Sequence, residues 1–168
     1  MSDAAITIEI AIESDLWQDP DAIEALITRA VVKSLDVAEL AHAPGAELSI
    51  VLTDDASIRV INAEWRGKDK PTNVLSFPQA VGDAIETAPM LGDIIFAHET
   101  IAREAEETST SFADHLSHLT VHGLLHLFGH DHLTDAEAEV MEALEVRILA
   151  ELGIANPYAD APLLREAS

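Results

Sequence analysis

Hydrophobic residues repeat with two different periods along the chain, and the places where the period changes divide it into elements. Ile6, Ile8, Ile10 and Ile12 alternate with Thr7, Glu9 and Ala11, which predicts a strand with one buried face. Asp19-Pro20-Asp21 then predicts a helix start, with Asp19 as a capping carboxylate and Pro20 at the first helical position. Ile23, Leu26, Ile27, Ala30, Val31 and Leu35 continue it as a helical stripe. Residues 47–52 read as a second strand, and Thr53 or Asp54 caps a short helix that turns Ile58 and Ile61 inward and ends near Trp65. Residues 73–77 form a third strand closed by Pro78, and residues 93–97 a fourth. The connection over 79–90 has no helical pattern, so strands three and four are expected to pair antiparallel, while the helix-separated earlier strands suit parallel pairing.

The second half is helical. Ile101, Ala102 and Ala105 mark a helix over 98–107, Ser111 caps the next one to Phe128, and Thr134-Asp135-Ala136-Glu137 is a capping box opening a helix that Gly153 ends. The fold class expected is α+β: one domain over residues 1–155, a mixed four-stranded sheet packed with helices. Residues 156–168 read as a C-terminal tail, expected to be partly disordered.

The histidines add chemistry to this frame. Four lie between 122 and 132, in Val121-His122-Gly123-Leu124-Leu125-His126-Leu127-Phe128-Gly129-His130-Asp131-His132. On a helix, His122 and His126 are separated by about 40° around the axis and about 6 Å along it, so both imidazoles can reach one ion. Gly129 permits a positive φ that ends the helix and returns the chain, bringing up a third imidazole. Three neutral imidazoles with one open position is the pattern of a catalytic zinc site rather than a closed structural one. The absence of cysteine leaves histidine and carboxylate as the ligands for such an ion.

The rival histidines can be ranked. His118 is about 12 Å from His126 along the helix, too far for one ion with bonds of about 2.1 Å, and is assigned to packing or to support of a ligand. His115 is expected to be partly exposed and His42 to lie on the surface. His130 competes with His132 for the third position, and the H-x-x-x-H-x-x-x-x-x-H spacing of metzincin proteases favours His132. Asp131 either accepts the second N–H of a ligand imidazole or caps the turn. Metzincins place their general base, a glutamate, directly after the first histidine, where this chain has Gly123. A carboxylate there would repel an anionic substrate by about 4 kcal/mol at an effective dielectric near 20. A glycine also allows the closest backbone approach.

The string HGLLHLFGHDH resembles the signature of the YbeY family of bacterial rRNA maturation endoribonucleases. The residues from Trp65 to Pro78 (WRGKDKPTNVLSFP), Leu91-Gly92-Asp93-Ile94, and Met141 and Glu145 in the last long helix agree with it in order. The likeness spans about residues 46–153 and departs at Asn73, where the family usually has Asp. It implies a zincin-like metal centre of His122, His126 and His132 holding one Zn2+ per chain or another divalent metal. It also implies a single-strand endoribonuclease that acts in 16S rRNA 3′ end maturation and ribosome quality control, with ribosomal RNA and the small ribosomal subunit as partners. The residues alone support a metal-dependent hydrolase. The alternatives are a metallopeptidase, disfavoured by Gly123, and a non-catalytic ribosome-assembly factor with structural zinc, disfavoured by the open position.

Charge changes where RNA can be met. Nine Lys and Arg against 31 Asp and Glu give −22, which repels phosphates at long range. Arg59, Arg66, Lys68 and Lys70 nevertheless gather in twelve residues with net charge +2, leaving −24 for the remainder. A guanidinium suits charge developing on phosphate oxygens, so Arg66, on the loop before the third strand, is the candidate catalytic cation. Its structural rival is an ion pair. No apolar run reaches the ~20 residues that span a bilayer and the N-terminus carries no signal pattern, so a cytoplasmic location without membrane contact is expected.

Overall fold

A computed structural model describes residues 5–158. Ten residues of the expected tail, 159–168, lie outside the described residues. The elements in chain order are β1 (Thr7–Ile12), α1 (Pro20–Val37), β2 (Glu47–Thr53), α2 (Asp55–Arg66), β3 (Val74–Pro78), a 3-10 turn (Gly82–Thr87), β4 (Met90–Ala97), α3 (His98–Glu107), α4 (Phe112–Leu127) and α5 (Asp135–Glu151).

The four strands form one mixed sheet in the order β1-β2-β4-β3. β1 and β2 are parallel, β2 and β4 are parallel, and β3 runs antiparallel to β4. The antiparallel β3–β4 step and the parallel β1–β2 step follow from what connects them. The place of β4 does not: it inserts between β2 and β3, and helices cover both of its faces. Ile94 and Phe96 are wholly buried with Leu48, Ile50 and Leu52 of β2 on one face. Ile95 and Ala97 meet Ile58 of α2 on the other.

Helix α4 is the centre of the thicker layer. It packs against α1, α3, α5 and the β3–β4 face, and most of its side chains are buried. That all-round burial is why its sequence shows little one-sided periodicity. Gly123 lies where α4 approaches the sheet closely. A Cβ there would meet Ile94 Cγ2 and Ser76 Oγ at 3.1 Å, and Ser76 Oγ donates to the Gly123 carbonyl at 3.0 Å. Close packing favours glycine here, because any larger residue makes Ile94 and Ser76 give way.

Most of the expected caps are present. Asp54 accepts from Ser57 N, Ser111 from Asp114 N, and Thr134 and Glu137 close the capping box. Asp19 is different: it adopts φ 55° and its side chain makes no capping hydrogen bond, so Pro20 alone signals that helix start. The 79–90 connection is shorter than its sequence suggests, because Gly82–Thr87 forms a 3-10 turn and β4 begins at Met90.

Candidate metal centre and cleft

The C-terminal end of α4 builds the site. Gly129 adopts φ 96°, its N–H donates to the His126 carbonyl at 3.0 Å, and the His130 N–H donates to the Leu125 carbonyl at 3.0 Å. This is a Schellman closure, which satisfies the last helical carbonyls while reversing the chain. The reversal brings His132 back over the helix end. One ring nitrogen from each of His122, His126 and His132 lies within 4.8 Å of the others, the arrangement of residues that could hold a metal ion. Among the described residues, His118, His115 and His130 do not join that group.

Three observations bear on whether the donors fit a metal. His126 Nε2 is shielded from solvent and has no hydrogen-bond partner among the described residues, a state that costs free energy unless a ligand completes it. Burial first, then the neighbouring His122 and His132 rings, push the His126 imidazole down to about 4, so it is neutral and keeps its lone pair near pH 7. All three donors are imidazoles, a donor set suited to zinc and its neighbours. The residues fit.

His122 is held from behind. Its Nδ1 lies 2.8 Å from Glu145 Oε2 on α5, and His118 Nε2 lies 2.8 Å from Glu145 Oε1. The Tyr158 hydroxyl also donates to Glu145 Oε1 and lies 3.2 Å from His118 Nε2. Burial alone would raise the Glu145 carboxyl, but the hydrogen bonds from His118 and His122 outweigh it and hold the group ionised, well below the usual carboxylate range. Burial is also the main influence on His118 and lowers it, so its ring is a neutral donor to that carboxylate. With Nδ1–H committed to Glu145, a neutral His122 ring carries its lone pair on Nε2.

Glu145, rather than Asp131, is the carboxylate at the second ring nitrogen of His122. Asp131 Oδ1 instead accepts the His132 backbone N–H at 2.8 Å, which makes it a turn residue. The signal for Glu145 was present in the chain: it interrupts the buried stripe Ala138, Met141, Ile148 and Leu149 of α5, and a carboxylate in an apolar stripe needs partners. His118 stands outside the three converging imidazoles and reaches them only through Glu145. His115 is buried, not partly exposed, and pairs with Glu104 Oε1 at 2.8 Å. Asn73 Nδ2 donates to the same oxygen at 3.0 Å. An Asp at position 73 would set a second carboxylate against Glu104, so the amide suits this chain's own neighbours. His42 is half-buried, with Nδ1 at 3.1 Å from the Ala43 carbonyl.

A cleft of about 420 Å³ runs from His126 past Gly129 and Asp131 to Ser76, Phe77 and Arg66. Arg66 is the last residue of α2 and is half-buried, and it lines the same cleft as His126. The other cations of its segment are arranged differently. Arg59 pairs with Asp69 at 2.8 Å on the exposed side of α2, while Lys68 and Lys70 are exposed.

Comparison with known proteins places this geometry. The family described as "Endoribonuclease YbeY" matches residues 9–153. A protein of that name from Bradyrhizobium sp. is 54% identical over 158 residues, covering 92% of this chain and 93% of its own. One from Rhizobium meliloti is 52% identical over 94% of this chain and 98% of its own. The solution structure of TM1509 from Thermotoga maritima shares the fold with a TM-score of 0.56 at 22% identity, covering 88% of this chain and 92% of that one.

Proposed function

We infer the function from the premise that the chain belongs to the endoribonuclease YbeY family: it is a hydrolase of RNA phosphodiester bonds that works with a metal ion. The observation that carries the metal is the buried His126 Nε2, without a partner among the described residues, beside the His122 and His132 rings. Three imidazoles in a cysteine-free chain suit Zn2+ as that ion, one per chain. When bound, it supplies Lewis acidity, lowering the pKa of a water toward ~7 and polarising a phosphoryl oxygen.

The chain's own residues do the remainder. Glu145 fixes the tautomer and orientation of His122, and His118 and Tyr158 hold Glu145 in place. Arg66 meets the nonbridging phosphate oxygens across the cleft, where its fork can follow the charge that develops on them. Local cations in an acidic chain confine RNA to this edge, because the rest of the surface repels it. The substrate is single-stranded ribosomal RNA. Its maturation at the 16S 3′ end, ribosome quality control on the small subunit, and a cytoplasmic location complete the reading. No helix among the described residues is long and apolar enough to cross a membrane, which is consistent with it.

A metallopeptidase reading is weaker. The position after His122 is packed against the sheet, and Glu145, beside His122, is already engaged by two histidines and a tyrosine. The deciding experiment is metal analysis with RNA and casein cleavage on the wild type and on His126→Ala. Metal-dependent RNA cleavage that His126→Ala abolishes, with casein left intact, is expected. Cleavage that survives removal of the metal would overturn the reading.

A further inference from the structure

Trp65 precedes Arg66 in the last turn of α2 and falls on that helix's inward stripe with Ile58, Ile61 and Asn62. Ile58 and Asn62 are buried, yet Trp65 leaves 69% of its surface exposed, whereas Trp17 leaves 5%. An indole left this open presents a flat apolar face with a polar N–H at its edge. Its ring packs edge-on against Phe77, with centroids 5.9 Å apart and planes at 62°. Phe77 in turn lines the cleft that holds Arg66 and His126. The exposed Trp65 ring therefore adjoins the site through the half-buried Phe77, and the exposed Lys68 and Lys70 follow Trp65 in the chain.

We propose that Trp65 and Phe77 form a stacking subsite for an unpaired nucleobase next to the phosphate that Arg66 meets. Proteins that bind single strands without reading their sequence pair cations along the backbone with aromatic rings under the bases, and both are here within a few residues. Stacking on an exposed indole requires a base that is not already stacked and paired, so the subsite favours single strands over duplexes. Any base can use it, because every base has a π-face. This rests on the endoribonuclease reading above and adds to it the feature of the substrate that the protein grips.

The chain has two tryptophans, and the exposed one is the probe. A stopped-flow titration of the metal-loaded protein, read before cleavage, would use a single-stranded RNA of roughly ten nucleotides, within common site sizes. Two further ligands are its duplex and an oligonucleotide of the same length with abasic positions, and the variants are Trp65→Phe and Trp65→Ala. Binding of the single strand should quench the wild-type fluorescence. Trp65→Phe should lose the quench but retain most of the affinity. Trp65→Ala should weaken binding of the base-bearing single strand by about 5- to 100-fold while leaving metal content, melting temperature and affinity for the abasic strand near wild type. Unchanged affinity in Trp65→Ala, or an equal loss for abasic and base-bearing strands, overturns the subsite. A wild type that cleaves no RNA would overturn the endoribonuclease reading instead, so the two failures are distinguishable.

Discussion

At the N-terminal end of α4, His115 Nε2 lies 2.8 Å from Glu104, and Asn73 donates to the same carboxylate. At its C-terminal end His122 is likewise backed by a buried carboxylate, Glu145, but the next imidazole, His126, has an Nε2 with no partner among the described residues. Both ends border a cavity, and the N-terminal one, lined by Asp114, His115, His118 and Tyr158, is the larger at about 510 Å³ against about 420 Å³. Volume and residue type do not separate the two ends. What separates them is whether the ring nitrogens are closed by a neighbour or converge with one left open. A carboxylate facing a lone imidazole completes a structural pair. The same carboxylate behind one of three converging imidazoles orients a ligand.

That distinction can be broken most sharply by metal content. His132→Ala should lose the metal and RNA cleavage together, while His130→Ala and His115→Ala keep both; elemental analysis and a cleavage assay on the three variants decide it. Retention of metal in His132→Ala with loss in His130→Ala would move the third ligand. Arg66→Ala should next lower RNA cleavage by about 10²–10³ with metal content and melting temperature nearly unchanged. A variant with full activity would remove Arg66 from catalysis, and one that unfolds would assign it to a structural ion pair.

The backing carboxylate gives a smaller effect. Glu145→Gln keeps the volume but removes the anion, so metal affinity measured by competition with a chelator should fall by about 10- to 100-fold. Glu104→Gln, its counterpart at the other end of α4, should leave metal affinity unchanged. Equal effects from the two would erase the contrast between the ends. The smallest effect is expected from Arg59→Ala. Its bond to Asp69 is exposed on both sides, 55% and 72%, so melting temperature should scarcely move.

Gly123 illustrates how a correct local inference can have two causes that sequence does not separate. Charge repulsion from a phosphodiester and close backbone approach both explain a glycine after the first ligand. The 3.1 Å approaches of Ile94 and Ser76 to an added Cβ favour the second cause, and they make Gly123→Glu a disruption of packing rather than a probe of charge.

The sequence by itself determined the features that depend on neighbours a few residues apart. The strand alternation, half-buried at Ile6, Ile8 and Ile10 but exposed at Ile12, the caps at Ser111 and Thr134, the one-turn spacing of His122 and His126, and the turn at Gly129 follow from backbone geometry within one element. Only the tertiary structure decided which elements meet. It put β4 between β2 and β3, buried His115 against Glu104, and brought Glu145 from α5 to within 2.8 Å of His122. It also left Trp65 uncovered on a stripe that periodicity marks as inward, because exposure depends on where the neighbouring sheet ends and not on the helix that carries the residue.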